Sequence, residues 1–153
     1  YPPLRTQADI DALIEGLKDG TIDMIATDHA PHTFDDKNQE YAYAAYGIVG
    51  LETSLGLVVK TLVEPGHLTW EEVVEKMSTN PAKHINLPGG TIEVGKAADI
   101  TLIDPKMNWT VDVEKFYSMG KNTPFNGWKL TGKAVATIVD GKLVMENGQI
   151  LPD

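Results

Sequence analysis

The chain has 153 residues, of which 42% are hydrophobic and 23% are charged, as is typical of a soluble globular protein. Its net charge of −9, from 22 acidic and 13 basic residues, argues against a surface for nucleic acid or anionic membranes, because phosphate groups are bound by clustered Lys and Arg. The absence of cysteine excludes disulfides and thiolate metal sites and fits a reducing compartment, so we expect a cytoplasmic protein.

The chain begins with Tyr1-Pro2-Pro3 and not with Met, and no signal-peptide pattern follows. No apolar run reaches the ~20 residues that are needed to span a bilayer. From this abrupt beginning we expect a piece of a longer protein.

The first periodic segment predicts a helix that ends near Gly20. Thr6 and Asp9 resemble a capping pair at its start. Apolar residues then recur at i, i+3, i+4 and i+7 on one face, at Ile10, Leu13, Ile14 and Leu17. The apolar run 22–27 follows, and its nearly continuous hydrophobicity predicts a buried parallel strand.

Residues 33–46 are polar and rich in tyrosine, which predicts a long loop of the kind that often acts as a lid or binding loop. Thr69 and Glu72 form a capping box, and Asn80-Pro81 has the N-cap and first-turn residues of a helix start. Three helices are therefore predicted after the loop, at 50–63, 69–77 and 80–86.

After residue 90 the pattern changes to short β-type runs, at 98–103, 109–111, 135–139 and 143–145. Asp140-Gly141 lies between the last two runs and is a strong signal for a two-residue hairpin. We therefore predict two parts, an α/β part at residues 1–90 and a small β domain at residues 91–153.

Three side chains that suit metal or proton chemistry follow directly on the predicted strand, at Asp28, His29 and His32. Sites assemble at the carboxyl ends of strands in α/β barrels and open sheets. A carboxylate there can bind a divalent metal or accept a proton from metal-bound water, and Pro31 fixes φ so that His32 is held in place. The alternative interpretation is that Asp28 caps a turn and that both histidines are solvated.

These three residues do not complete a catalytic zinc site, which takes about three protein ligands and a water. The other two histidines, His67 and His84, are interpreted as surface or packing residues. Lys37, within the predicted loop, is interpreted as a solvated charge.

The segment Thr27-Asp28-His29-Ala30-Pro31-His32 closely resembles the last barrel-strand motif of the dihydroorotases, which are metal-dependent cyclic amidases of the amidohydrolase superfamily. The second histidine of this motif is selective, because hydantoinases and allantoinases resemble the chain elsewhere but typically lack it. The resemblance continues in family order over essentially the whole chain, at Pro2-Pro3-Leu4-Arg5, Asp19-Gly20-Thr21-Ile22-Asp23, Gly47-Ile48-Val49-Gly50-Leu51-Glu52-Thr53, Asn80-Pro81-Ala82, Gly95-Lys96-Ala97-Ala98-Asp99-Ile100 and Asn122-Thr123-Pro124-Phe125.

The resemblance implies an α/β fold, namely the C-terminal portion of a (β/α)8 TIM-like barrel followed by part of a small β-sandwich domain. It implies zinc as the cofactor and dihydroorotate or N-carbamoyl-L-aspartate as the substrate, in the reversible ring-opening step of pyrimidine biosynthesis. The family's other metal ligands lie upstream of the matched region. We therefore expect this chain alone to be inactive.

Position by position, the resemblance implies that Asp28 binds the metal, accepts a proton from the bridging hydroxide and returns it to the leaving nitrogen. It implies that His32 contacts the carboxylate of dihydroorotate. The backbone around Gly47, including that of Tyr46, is expected to hold the ring amide. The zinc would polarise the carbonyl and lower the pKa of its bound water to ~7.

Two positions depart from the family pattern. Tyr1 stands where Asn usually precedes Pro-Pro-Leu-Arg, and Tyr46 stands where Pro is common. A phenol cannot replace an amide that both donates and accepts hydrogen bonds. Two alternatives therefore stay open: a cyclic amidohydrolase of the hydantoinase or allantoinase type, against which His32 speaks, and a non-catalytic scaffold that binds a transcarbamoylase such as aspartate transcarbamoylase. We also expect a homo-oligomer, or association with a missing N-terminal part.

Overall fold

The computed structural model describes residues 6–152. Tyr1 and the segment 2–5, which carry one departure from the family pattern and one matched motif, lie outside the described residues. Within the described range, helices occupy the first part and an antiparallel sheet occupies the second. No helix of this range is both long and apolar enough to cross a membrane.

Helix α1 (Gln7–Asp19) confirms the first predicted helix. The Asp9 carboxylate accepts hydrogen bonds from the backbone N–H and the hydroxyl of Thr6, at 2.9 and 2.8 Å, and so fixes the helix start. The helix ends where Gly20 takes the left-handed conformation, at φ 84°. Leu17 is buried against the following helices, whereas the first turns of the apolar stripe are exposed.

The strand predicted at 22–27 is absent from the structure, where residues 22–30 have no regular secondary structure. A strand requires a ladder of hydrogen bonds to a neighbouring strand, and within residues 6–152 this segment receives only isolated backbone bonds. The Ile25 N–H donates to the Lys76 carbonyl at 3.0 Å, and the Ala30 N–H donates to the Ile48 carbonyl at 2.9 Å. The segment is therefore held at separate points and not along its length.

The helices predicted at 50–63 and 69–77 are present, and each changes from α-helix to π-helix along its length. The Glu72 carboxylate accepts from the Thr69 N–H at 2.7 Å, while the Thr69 hydroxyl accepts from the Glu72 N–H at 3.3 Å, so the predicted capping box is confirmed. The bounds are α3 (Ser54–Val58) with π-helix Val59–Val63, and α4 (Trp70–Val74) with π-helix Glu75–Thr79.

The third predicted helix, at 80–86, is α5 (Asn80–His84), but the prediction of Asn80 as its N-cap is wrong. Thr79 and Asn80 both have helical dihedral angles, so α5 continues directly from the preceding π-helix. The Asn80 side chain instead donates to the Asp23 carbonyl at 2.8 Å. It therefore ties the helix to the segment that leads to Asp28.

The helices enclose a small hydrophobic core of buried leucine and valine side chains, formed by Leu17, Val58, Leu62, Leu68 and Val73. Lys76 lies in the π-helix before α5 with only 6% of its surface exposed, and its ammonium group donates to the Ile22 carbonyl at 3.2 Å. A buried ammonium needs such a partner, because its desolvation is otherwise costly.

The second part of the chain is a four-stranded antiparallel sheet in the order β1-β2-β3-β4. Most of the predicted runs 98–103 and 109–111 belongs to one strand, because a register irregularity between Asp104 and Asn108 absorbs the residues between the runs. The predicted hairpin is confirmed, with Asp140 and Gly141 at φ 48° and 78°. The strands are β1 (Ile100–Thr110), β2 (Lys129–Val139), β3 (Lys142–Glu146) and β4 (Gln149–Ile150).

The four strands form the one sheet that is found in residues 6–152. Neither the parallel sheet of a barrel nor the second layer of a β-sandwich is found in this range. The division near residue 90 stays a prediction. Helix α3 packs on the sheet where Gly56 lies against the side chains of Leu130 and Trp109. Leu130 is only 2% exposed and therefore anchors β2 to the helices.

We predict that Leu130→Ala lowers the free energy of unfolding by about 2–5 kcal/mol, because it leaves a cavity at the contact between α3 and the sheet. Leu102→Ala is the matched control, since Leu102 lies in β1 and is 46% exposed; we expect less than half the loss there. Chemical denaturation of the complete protein, followed by circular dichroism, measures both. Equal losses for the two variants would contradict this packing.

Candidate functional site

Asp28 lies in the segment 22–30, and its side chain is exposed. The carboxylate is next to the backbone of Gly47, because a Cβ atom on that glycine would lie 3.7 Å from Asp28 Oδ2. An exposed carboxylate beside a backbone turn is open to a ligand from outside the described residues.

His32 is half-buried and is held through both its ring and its backbone. Its Nε2 lies 2.7 Å from the Tyr46 carbonyl oxygen, and because a carbonyl only accepts, Nε2 is the protonated nitrogen that donates. Its backbone N–H donates to Asn122 Oδ1 at 3.0 Å. The expectation that His32 is held in place is therefore confirmed, and Nδ1 is the ring nitrogen that can face a ligand.

His29 turns to the other side of the segment. Its Nδ1 accepts from the Gly50 N–H at 3.3 Å and, more weakly, from the Leu51 N–H at 3.5 Å. Nδ1 is therefore unprotonated, and the ring supports the turn that leads into α3. The alternative in which both histidines are solvated is wrong, because His29 and His32 are both half-buried and hydrogen-bonded.

The backbone at 47–50 lies directly against the backbone at 27–30. Gly47 has a φ of 92°, and a Cβ atom there would lie 2.6 Å from the Cβ of Ala30. A Cβ atom on Gly50 would overlap the carbonyl oxygen of Asp28. Only glycine fits at these two positions, so the matched glycines of this segment have a physical reason.

Lys37 was interpreted from the sequence as a solvated charge, and this is wrong. Its side chain is partly buried, and its ammonium group donates to the Ala45 carbonyl at 2.7 Å and to the Gly47 carbonyl at 3.0 Å. The chain between these residues folds back on itself, which brings the lysine to the turn that carries Gly47.

Asn122 is the second residue whose place in the site the sequence did not reveal. Its Nδ2 donates to the Ala30 carbonyl at 2.8 Å and to the Gly47 carbonyl at 3.3 Å. Its own carbonyl accepts from the Val49 N–H at 3.1 Å. The matched Asn-Thr-Pro-Phe motif was the available signal, but it gave this asparagine no role.

The predicted loop 33–46 contains one helical turn, α2 (Phe34–Lys37). The Asp36 carboxylate accepts from the Thr33 hydroxyl at 2.7 Å and from the Thr33 N–H at 3.3 Å. The Thr33 hydroxyl, followed by its N–H and the nearby His32, lowers the pKa of Asp36 against the opposing effect of desolvation. Whether the loop acts as a lid stays a prediction.

Within residues 6–152, no three His, Asp or Glu side chains are grouped so that they could hold a metal ion. The role of Asp28 as a metal ligand stays a prediction, and it requires further ligands, since a catalytic zinc takes about three protein ligands. The interpretation that His67 and His84 are surface or packing residues and not ligands stays a prediction.

Two cavities of the described range lie away from these residues. The larger, of about 520 Å³, is mostly apolar and lies between α3 and the sheet, where Leu55, Trp109 and Met145 contribute to its wall. The smaller, of about 380 Å³, is formed by Asp23, Met24, Asn80, Lys83 and His84. Asp28 and His32 line neither of these two cavities.

Comparisons with known proteins find similarity to the amidohydrolase family, to dihydroorotases and to hydantoinases. The model of the amidohydrolase family matches residues 3–144. Dihydroorotases from Acetivibrio thermocellus and Geobacter metallireducens are 53% and 57% identical, over 98% and 94% of this chain and over 35% and 34% of their own length. The chain thus spans about a third of the curated relatives that it matches.

Solved structures of hydantoinases are similar over the whole chain. An L-hydantoinase (dihydropyrimidinase) from Arthrobacter aurescens has a TM-score of 0.91 at 37% identity, covering 100% of this chain and 35% of its own. A D-hydantoinase (dihydropyrimidinase) from Thermus sp. has a TM-score of 0.90 at 29% identity, covering 100% of this chain and 34% of its own.

We predict that Thr33→Val raises the pKa of Asp36 toward its ordinary value of 3.8, because the hydroxyl that lowers it is lost. Since the folded-state pKa is depressed, the cap stabilises α2 above pH 3.8 and loses this effect as the pH falls through the lowered pKa. An NMR titration of the carboxyl carbons measures the shift. Asp9, whose pKa is lowered in the same way by Thr6, is the internal control, and an unchanged Asp36 titration would refute the assignment.

Proposed function

The chain belongs to the amidohydrolase family, and we propose that it is part of a dihydroorotase, which interconverts dihydroorotate and N-carbamoyl-L-aspartate in pyrimidine biosynthesis. The carrying observation is that His32, the selective residue of the motif, is hydrogen-bonded to the Tyr46 carbonyl, while Asp28 lies beside Gly47. The carboxylate, the imidazole and the backbone named by the resemblance therefore lie together. Curated dihydroorotases at 51–57% identity support the same substrate class.

We assign the proton transfers to Asp28. The oxygen of a water molecule bonds to the ring carbonyl carbon, and the carboxylate takes the proton that the water loses. As the C–N bond breaks, the same carboxyl returns this proton to the leaving nitrogen. The exposed position of Asp28 fits this role, because water and substrate must reach its carboxylate from outside the segment.

His32 is assigned to the carboxylate of the substrate. Its Nε2 already donates to the Tyr46 carbonyl, so contact with a carboxylate has to use Nδ1. Donation from Nδ1 as well requires the doubly protonated ring, because a neutral imidazole has one N–H only. The positive charge of that ring strengthens a hydrogen bond to a carboxylate.

Zinc is the cofactor that we propose, with Asp28 as one ligand and the others supplied from outside residues 6–152. When bound, it would polarise the scissile carbonyl and make water a better nucleophile at neutral pH. We therefore propose the activity for the complete protein and expect these 153 residues alone to be inactive. A zinc-dependent turnover of dihydroorotate by the isolated chain would refute that expectation.

The non-catalytic alternative loses one of its two arguments. Tyr46 contributes its carbonyl to His32, and its side chain is 71% exposed. Tyrosine in place of proline therefore preserves the backbone contact on which the proposal depends. A homo-oligomeric state, association with an aspartate transcarbamoylase and a cytoplasmic location stay predictions.

We predict that Asp28→Asn lowers kcat for dihydroorotate by about 10²–10⁴-fold, because an amide cannot take the proton. The measurement is ring opening by the complete protein, with its zinc content determined in parallel. Asp23→Asn is the matched control, since Asp23 lies in the same segment and its carbonyl, not its carboxylate, is bonded to Asn80. The assignment fails if the two variants retain equal activity.

A hydantoinase is the second candidate, and the similar hydantoinase structures favour it. A hydantoin ring carries no carboxylate for His32 to contact. For a dihydroorotase, His32→Asn should raise KM for dihydroorotate about tenfold or more, the effect of losing a hydrogen bond to a charged group. His84→Asn, at an exposed residue of α5, is the control and should leave KM unchanged. Efficient hydantoin hydrolysis that is insensitive to His32→Asn would establish the second candidate instead.

A further inference from the structure

We propose that Asn122 is a positioning residue that holds His32 and the Gly47 turn in the arrangement that binds the substrate. The proposal rests on the function proposed above. Asn122 lies outside the segments that carry His32 and Gly47. It follows the short 3-10 helix Val113–Lys115 along the chain, and the resemblance assigned it no role.

The side chain of Asn122 uses its donor and its acceptor at the same time. Oδ1 accepts from the His32 N–H, and Nδ2 donates to the carbonyls of Ala30 and Gly47. The backbone carbonyl of Asn122 adds a fourth bond, from the Val49 N–H. One residue thus connects the loop that carries His32 with the turn that carries Gly47.

Only a side chain that has both N–H donors and a carbonyl acceptor, as an amide has, can bond all of these partners. A carboxylate at this position keeps the acceptor for His32 but has no donor, so its negative oxygen would face the carbonyls of Ala30 and Gly47. The Ala30 carbonyl would lose its donor in a partly buried place, and the Gly47 carbonyl would keep only the bond from Lys37. The two loops would then separate at this point.

Asn122 can act as a clamp because its own segment, residues 116–122, is anchored to the helical part. The two carboxylate oxygens of Glu52 accept from the N–H groups of Tyr117 and Ser118, each at 3.0 Å. Gly120 lies so close to Pro31 that a Cβ atom would be 2.6 Å from the proline Cβ. The position of Asn122 is therefore set by contacts at three residues that lie within five positions before it.

This geometry separates binding from chemistry. The bonds of Asn122 end on the backbone of His32, whose ring is assigned to the substrate carboxylate, and on the carbonyl of Gly47, whose turn is assigned to the ring amide. The proton-transfer group, Asp28, lies beside Gly47 but receives no hydrogen bond from the Asn122 side chain, whose bonds go to His32, Ala30 and Gly47. Loss of the clamp should therefore weaken substrate binding more than it slows the chemical step.

The test compares Asn122→Asp with Asn126→Asp in the complete protein. Asn126 is a matched control, because it lies four residues after Asn122 and its Oδ1 accepts from the Val113 N–H at 3.2 Å, a bond that a carboxylate can keep. We expect Asn122→Asp to raise KM for dihydroorotate by about 10–100-fold, from two lost donors and added repulsion, with kcat within about threefold. We expect Asn126→Asp to leave KM and kcat unchanged.

Thermal unfolding of each variant separates positioning from stability. A merely structural asparagine would lower Tm and reduce kcat with the folded fraction while KM stays constant, and that result would overturn the proposal. If Asn122→Asp does not fold, Asn122→Ser decides, since its hydroxyl keeps one donor; it should also raise KM. A wild-type protein that does not act on dihydroorotate refutes the proposed function, whereas an active wild type with unchanged KM in the variants refutes the clamp alone.

Discussion

The close approach of the backbone at 27–30 to the backbone at 47–50 is the constraint on which the candidate site depends. One backbone hydrogen bond joins the two stretches, from the Ala30 N–H to the Ile48 carbonyl. The absence of side chains at Gly47 and Gly50 lets them meet, because a Cβ atom at either position would collide with the opposite stretch. Since His32 bonds the Tyr46 carbonyl just beyond this contact, a wider gap would release the ring as well.

Side chains from distant parts of the chain take the place of a regular sheet at this contact. The Gly47 carbonyl accepts from both Lys37 and Asn122, so a carbonyl on an irregular turn is fully paired although no strand ladder reaches it. Partly buried carbonyls need such partners. A turn held by side chains can keep a geometry that a ladder would not permit, with φ positive at Gly47.

The elements that the sequence predicted correctly are those whose signals lie within a few residues. The Thr6–Asp9 and Thr69–Glu72 pairs span three residues each, and the Asp140-Gly141 turn needs only its own two φ angles. The bonds of Asn122 to His32 and Ala30 span 90 and 92 residues. No local pattern reports such a contact, so both this residue and Lys37 were missed.

The errors have the same physical origin. A strand at 22–27 was expected from hydrophobicity, but a strand exists only with a hydrogen-bonded neighbour, and none lies within residues 6–152. Asn80 was expected to begin a helix, but the preceding helix continues through it, which frees its side chain to bond the Asp23 carbonyl. In both cases the local pattern was overridden by other described residues: no strand lies beside residues 22–27, and the preceding helix continues through Asn80.

Substrate choice in this family has to be argued from side chains, because the backbone does not distinguish the candidates. A hydantoinase shares this fold at a TM-score of 0.91 with 37% identity, while dihydroorotases share over half of the sequence. Under the proposed function, His32 recognises the carboxylate of dihydroorotate, a group that a hydantoin ring lacks. Its Nε2 is taken by the Tyr46 carbonyl, so the proposed contact uses Nδ1 of a ring that is held in one orientation, and such a contact selects for a carboxylate at one position on the substrate ring.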